Sequence, residues 1–268
     1  MPTEIANIKI YNESMTKSLI DKLFFLDKID NVKCIVDYGC ADGALIAFIA
    51  PLFPDTLFFG YDKSAAMIAA AIDKNKSNKN TYFSRDIDEL DELLEEKNLR
   101  YADCALVLSS VIHEIYSYST EKEIQNFWQF INYSTFRYII IRDMCISEAA
   151  NRSSLKEDVI KVKALTDKFK LKEFENLFGS IDSNRNLIHY LLKIPFEENW
   201  KREVRENYFP RTVEYLAAMV YSSNYEMIYF DHYILPYVAE RVKKDFDITI
   251  KDYTHVKFIW KRRNNLKN

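Results

Sequence analysis

Glycine is the scarce residue of this chain: there are 4 in 268 positions, where about 7% usage would give roughly 19. That count excludes collagen-like and glycine-rich low-complexity architectures. Cysteine is equally sparse, and Cys34, Cys40, Cys104 and Cys145 form no C-x-x-C and have no histidine close in sequence. Such spacing supports neither a zinc site nor a redox motif nor a disulfide framework, and the four thiols read as reduced, intracellular and free of metal. Long hydrophobic runs are missing: the strongest, Ala44 to Phe53, interrupted by Pro51, is about half a membrane span. The start, MPTEIANIKI, carries an early acid and lacks the basic-then-apolar order of a secretory signal, so a cytoplasmic protein without membrane contact is expected. An excess of charge is missing too. Lys+Arg 37 against Asp+Glu 40 leaves a net −3, which offers nucleic acid no whole-surface attraction.

What is present is apolar mass. The chain is 48% hydrophobic, with 18 Tyr and 18 Phe, enough for one large core or a core carrying an insertion. Tyr11 to Asp30 has a helical period. Short β-type runs then recur at Cys34–Asp37, Thr56–Asp62, Thr81–Ser84, Ala102–Ser109 and Arg137–Arg142. Helical stretches lie between them at 44–51, 65–74, 87–97 and 121–131. This alternation predicts a doubly wound, mostly parallel α/β sheet. The rhythm stops at Ser147, after which 154–178, 184–193, 198–207 and 211–221 read as helices. Two strands, Tyr225–Leu235 and Thr254–Trp260, flank a last helix from Pro236 to Lys244. The expected division is a core of residues 1–146 and 224–268, with a helical insertion or lid at 147–223.

Three of the four glycines, Gly39, Gly43 and Gly60, fall within 22 residues. In Ile35-Val-Asp-Tyr-Gly-Cys-Ala-Asp-Gly-Ala44 a strand ends in an acid and two glycines open a helix, the form of a nucleotide loop. An acid at that strand end repels a phosphate and suits a cationic or zwitterionic ligand. Asp62, 25 residues beyond Asp37, stands where an acid binds ribose hydroxyls. Asp86, with Ile87 beside it, follows the third strand in a position to receive an adenine amino group.

Asp37-x-Gly39-x-Ala41-x-Gly43 resembles motif I of the class I S-adenosylmethionine-dependent methyltransferases, and Gly60-Tyr-Asp-Lys-Ser64 with Met67-Ile68 resembles their second-strand segment. The resemblance spans residues 30–146 closely and 225–263 loosely, and Ala41 departs from the middle glycine. It implies a seven-stranded Rossmann-like sheet with an antiparallel last strand. It also implies S-adenosyl-L-methionine as cofactor, held by Asp37, Gly39, Cys40, Ala41, Gly43, Asp62, Lys63, Met67, Asp86, Ile87 and Ser109.

The fourth strand runs into Leu108-Ser-Ser-Val-Ile-His-Glu-Ile-Tyr-Ser-Tyr118, which in that family faces the transferring methyl group. No Asp/Asn-Pro-Pro-Tyr motif and no Pro-Cys pair is present, which disfavours base-amino and cytosine-C5 methylation. His113 and Glu114 form an adjacent imidazole–carboxylate pair, and a histidine near neutral pKa can take a proton from an attacking nucleophile. His113 alternatively lines the cofactor or is structural. Tyr116 and Tyr118 are candidates for an aromatic wall at the substrate. In the insertion, the charged aromatic run 197–211 offers Trp200, Arg205, Tyr208 and Arg211 for stacking or anion pairing, or forms a solvated face whose charges offset one another. Lys257, Lys261, Arg262, Arg263 and Lys267 form a basic strip near the end. His189, His232 and His255 are too scattered to argue as metal ligands. Two readings follow: a methyltransferase of a small molecule, with RNA as the second acceptor class, or a non-catalytic module of the same fold binding a protein or RNA.

Overall fold

The computed structural model describes residues 18–263. The expectations for the extreme start, for the first part of the 11–30 helix and for Lys267 lie outside the described residues. Seven strands form one sheet: β1 (Cys34–Tyr38), β2 (Leu57–Tyr61), β3 (Thr81–Ser84), β4 (Cys104–Ser109), β5 (Tyr138–Met144), β6 (Tyr225–Tyr233) and β7 (His255–Arg262). Their spatial order is β3-β2-β1-β4-β5-β7-β6. The first five pair in parallel, and β7 runs antiparallel to both β5 and β6, as expected for this fold class. The central strands are short apolar runs buried on both faces, with Ile35, Val36, Leu106, Val107, Ile139, Ile140 and Ile141 at most 4% exposed. That two-sided burial is why they read as continuous rather than alternating patterns.

Two hydrophobic clusters sandwich the sheet. Phe127, Trp128 and Ile131 of the helix Glu121–Tyr133 pack on one face; Phe25, Ile46 and Ile49 pack on the other. The order of strands reverses between β1 and β4, and ligands bind at the carboxyl ends of strands beside such a reversal.

A third cluster belongs to the helices beyond β5. Those helices are Lys156–Leu165, Lys168–Phe178, Asn184–Lys193 and Trp200–Glu203; a fifth follows at Val213–Ala218. The clusters cut across the expected boundary at residue 223 in both directions. Val213, Leu216 and Val220 pack with the sheet, whereas Leu235, Val238, Val242, Phe246, Ile248 and Ile250, from the β6–β7 connection, pack with the helical layer. The cap is therefore made from two separated stretches of chain.

Three helices differ from the periodic reading. The stretch 154–178 breaks at Thr166, because the Asp167 carboxylate accepts from Phe169 N (2.7 Å) and Lys170 N (3.2 Å) and starts a new helix. Of 198–207 only Trp200–Glu203 is α-helical. Of 11–30, the described part is helical at Leu19–Lys22 and continues as turns to Lys28. Consecutive apolar residues 23–26 hold no single helical face, and turns let Phe25 bury completely. No helix among the described residues is long and apolar enough to cross a membrane.

Candidate functional site

Two cavities meet the end of β4, and consecutive serines divide them. Ser109 lines the first and Ser110 the second. Ser110 has left-handed backbone, φ 59°, a conformation that costs a non-glycine residue about 1 kcal/mol or more. Its amide donates to Arg142 O at 2.7 Å, which holds that turn in place.

The first cavity is a cleft around the glycine loop. Gly39 N and Cys40 N both donate to Tyr61 O, at 2.7 and 2.9 Å, so the loop after β1 is drawn over the end of β2. Gly39, Ala41 and Gly43 have φ of 83°, 47° and 68°. A Cβ on Gly39 would stand 2.6 Å from Val111 Cγ2, and one on Gly43 2.9 Å from Ala71 Cβ. Glycine is thus required there by backbone sign and by the neighbours. Ala41 keeps the left-handed turn without glycine.

Asp37, Gly39, Cys40, Ala41 and Ser109 line this cleft. Ser109 Oγ is buried without a hydrogen-bond partner among the described residues, an arrangement that a polar ligand would satisfy. Burial pushes the Asp37 carboxyl up to about 7, against the opposing pull of Lys22. Lys22, also in the lining, is pushed down to about 8 by burial and Arg142, against the pull of Asp37, Asp143 and Asp42. The cleft therefore offers an acid and an amine from distant parts of the chain. Lys22 escapes a sequence reading because a lysine in an amphipathic stretch reads as solvated.

Asp62 is not among the lining residues but is bonded to the loop that forms the cleft. Its Oδ2 accepts from Ala41 N (3.0 Å) and its Oδ1 from Ser64 N (2.8 Å). Burial raises its pKa against those two donors and Arg202. Each oxygen retains acceptor capacity for a ligand hydroxyl. Gly43, Lys63, Met67, Asp86 and Ile87 do not line the cleft. Lys63 and Asp86 are exposed, Met67 is buried in its helix, and Ile87 packs against the sheet cluster. Asp86 Oδ1 accepts from Asp88 N at 3.0 Å, which ties it into the turn after β3.

The second cavity, about 730 Å³ including its open mouth, lies between the sheet edge and the helical cap. Ser110, His113, Glu114, Arg142, Met144 and His255 come from the sheet side. Leu192, Phe196, Glu203, Glu206 and Tyr208 come from the cap, and Leu235, Tyr237 and Val238 from the β6–β7 connection. His113 is held by Asp143 of β5: Nδ1 lies 2.6 Å from Asp143 Oδ1, and Ile112 N donates to Asp143 Oδ2 at 2.7 Å. Its Nε2 is 3.7 Å from Glu206 Oε2. Burial favours the neutral ring, but Asp143 and Glu206 outweigh it and raise the pKa to about 10. That lies above the near-neutral value expected from the sequence, and the two flanking carboxylates favour the charged ring.

Arg202 joins the other carboxylates, with Nε 2.7 Å from Glu206 Oε1 and Nη2 2.7 Å from Glu114 Oε1. Glu206 is held down to about 2: burial works against the anion, and His113 and Arg202 overcome it. Glu114 is pushed up to about 7 by burial and by Glu206, against Arg202 and His113. Ligand-type atoms of His113, Glu114 and Glu206 all lie within 4.8 Å of one another, and the Arg202 guanidinium lies on both carboxylates.

The other expected substrate residues stand elsewhere. Trp200 is buried in the cap, its Nε1 donating to Glu173 Oε2 at 2.8 Å, and Arg205 is exposed to solvent. Neither lines the cavity; Arg202 on the short helix and Glu206 and Tyr208 in the segment after it are buried and form the network instead. Tyr116 accepts from Trp128 Nε1 (3.0 Å), and Tyr118 donates to Glu206 Oε1 (3.3 Å). Neither tyrosine lines the cavity: Tyr118 backs Glu206, and Tyr116 packs with the sheet cluster. Two lysines of the basic strip are ion-paired, Lys257 with Asp21 at 2.5 Å and Lys261 with Asp30 at 3.3 Å. Asp143, Arg142 and Glu206 carry no sequence signal, since no local motif marks an acid or a base that acts through distant chain.

No known family model matches the sequence, and no curated protein matches it. Among solved structures, the chain is similar to geranyl diphosphate C-methyltransferase from Streptomyces coelicolor A3(2), at 8% identity and TM-score 0.50, covering 97% of this chain and 86% of that one. It is also similar to the plantazolicin methyltransferase BamL, at 11% identity and TM-score 0.47, covering 94% and 88%. The methyltransferase domain of bacterial CtHen1-C is similar at 12% identity and TM-score 0.46, covering 94% and 98%. The fold is that of the class I S-adenosylmethionine-dependent methyltransferases.

Proposed function

We propose that the protein is an S-adenosylmethionine-dependent methyltransferase acting on a small molecule enclosed beneath the helical cap. The observation that carries this reading is the pair of cavities at the end of β4, divided by Ser109 and Ser110. A donor in one and an acceptor in the other would meet at that boundary.

The cleft fits the donor. Lys22 and Asp37 offer opposite charges to the carboxylate and ammonium of its amino-acid end, and the unpartnered Ser109 Oγ offers a further hydrogen bond. Asp62 would receive the ribose hydroxyls. When bound, the cofactor supplies an electrophilic methyl group whose transfer needs alignment and exclusion of water more than acid–base chemistry. The cap contributes the enclosure, with the helical layer after β5 and the β6–β7 connection as the lid.

Where the acceptor must lose a proton, Glu114 takes it. Its carboxyl, raised to about 7, is poised near working pH. His113, charged and fixed by Asp143, donates from Nε2 and orients the acceptor or Glu206. Calorimetry with S-adenosylmethionine and S-adenosylhomocysteine tests the reading. Micromolar binding, weakened in Asp62→Asn, is expected; no binding at millimolar ligand overturns it.

A further inference from the structure

The acceptor cavity contains a cation that the proposed transfer does not use. Arg142 lies in β5, opposite Ser109 in the β4 register, and is 4% exposed. Its Nε donates to Asp21 Oδ2 at 2.8 Å and its Nη1 to Ser110 Oγ at 2.7 Å. Its Nη2 is buried and has no hydrogen-bond partner among the described residues, and the residue lines the cavity. The Tyr233 hydroxyl stands beside the guanidinium, where it helps hold the arginine charged, and donates to Asp21 at 2.6 Å.

The local charges do not cancel. Asp21 faces two cations, Arg142 at 2.8 Å and Lys257 at 2.5 Å, so one positive charge remains uncompensated around that carboxylate. His255, on the same cavity wall, is driven well below its ordinary pKa by burial and by Arg142, and so adds no charge of its own. A buried guanidinium hydrogen with no acceptor costs free energy that an incoming oxyanion would recover. Leu192, Phe196, Leu235, Tyr237 and Val238 give the cavity an apolar and aromatic stretch of wall, while the acids Glu203 and Glu206 line it beside His113 and Glu114. The proton-accepting Glu114 lines the same cavity as Arg142.

We propose that the acceptor is an organic monocarboxylate with an apolar body, its carboxylate seated on Arg142 Nη2. This deepens the methyltransferase reading and rests on it for the meaning of the cavity. The single surplus charge matches one carboxylate; a phosphate dianion would exceed it. Arg142 is thus a specificity-determining residue, selecting the acid over its alcohol or amine.

The test uses the full chain and three probes with one apolar body: phenylacetate, 2-phenylethanol and 2-phenylethylamine, with phenylphosphonate as a dianion. Binding is measured by calorimetry or ligand-observed NMR, with and without saturating S-adenosylhomocysteine. Phenylacetate should bind at least tenfold tighter than the alcohol and the amine. Arg142→Gln and Arg142→Lys should reduce that preference by roughly ten- to hundredfold. Arg142→Lys keeps a cation against Asp21, so it guards against loss of the fold, and the binding of S-adenosylhomocysteine reports whether the neighbouring cleft has survived. The inference is overturned if the wild-type chain shows no preference for phenylacetate, if phenylphosphonate binds tighter than phenylacetate, or if the preference persists in a folded Arg142→Lys chain. Failure of the methyltransferase reading is a separate result: S-adenosylhomocysteine would not bind, whatever the carboxylate preference.

Discussion

The two cavities at the end of β4 are built by different means. The glycine-loop cleft is shaped mainly by backbone, with left-handed turns at Gly39, Ala41 and Gly43, amides of Gly39 and Cys40 on Tyr61 O, and Asp62 clamping Ala41 and Ser64. The capped cavity is shaped by buried ionic side chains brought from β5, from the helix Ile112–Tyr118 and from the cap. His113, Asp143, Arg202, Glu206 and Glu114 hold one another in their charge states. Backbone geometry is set within a few residues, whereas a charge network exists only once the chain has closed. A change in the first should alter ligand binding more than stability, and a change in the second should do both.

The largest expected effect breaks the charge network. His113→Gln leaves Asp143 and Glu206 without their shared cation and should lower stability by about 3 kcal/mol in urea unfolding at pH 6, while cofactor affinity stays within about threefold. The sign with pH follows from the raised pKa. The ring's contribution is full below its ordinary value of 6.5 and is lost as pH rises through about 10. The deficit of His113→Gln relative to wild type should therefore shrink toward pH 10. A constant deficit from pH 6 to 10 would remove the assignment.

Glu114→Gln separates chemistry from folding. Because only the deprotonated carboxylate accepts a proton, wild-type kcat should rise with pH through about 7 and level off above it. The variant should lose that limb and about a hundredfold in kcat. On the backbone side, Asp62→Asn should weaken S-adenosylmethionine binding roughly tenfold or more by calorimetry with a change in stability below about 1 kcal/mol. The smallest effect is Ala41→Gly. Relief of the left-handed alanine is partly offset by the greater freedom of glycine in the unfolded chain, leaving a gain of about 0.5 kcal/mol in urea unfolding.

The same contrast decides what is legible in the sequence. The strand–helix alternation announces the five parallel strands, and the acid-and-glycine spacing locates the loop, because both are written in consecutive residues. Asp167 is legible in principle as a helix N-cap, yet the continuous periodicity of 154–178 hides it. Trp200 and Arg205 stand out on residue type alone. On a four-residue helix, Trp200–Glu203, facing is set by what the cap packs against, and no period that short reports it. Lys22, Arg142 and Asp143 carry no signal, since a lone charged residue is solvated far more often than buried.

The amino-acid sequence by itself determined the sheet, its switch point and the left-handed loop at Gly39–Gly43, since glycine placement and short apolar runs act through local sterics and strand burial. Tertiary structure alone decided that flanking carboxylates favour the charged His113 ring, that Glu114 titrates near neutrality and that Arg142 keeps one donor unsatisfied. Those properties come from desolvation and from charges far away along the chain, which become neighbours only when the cap closes over the edge of the sheet.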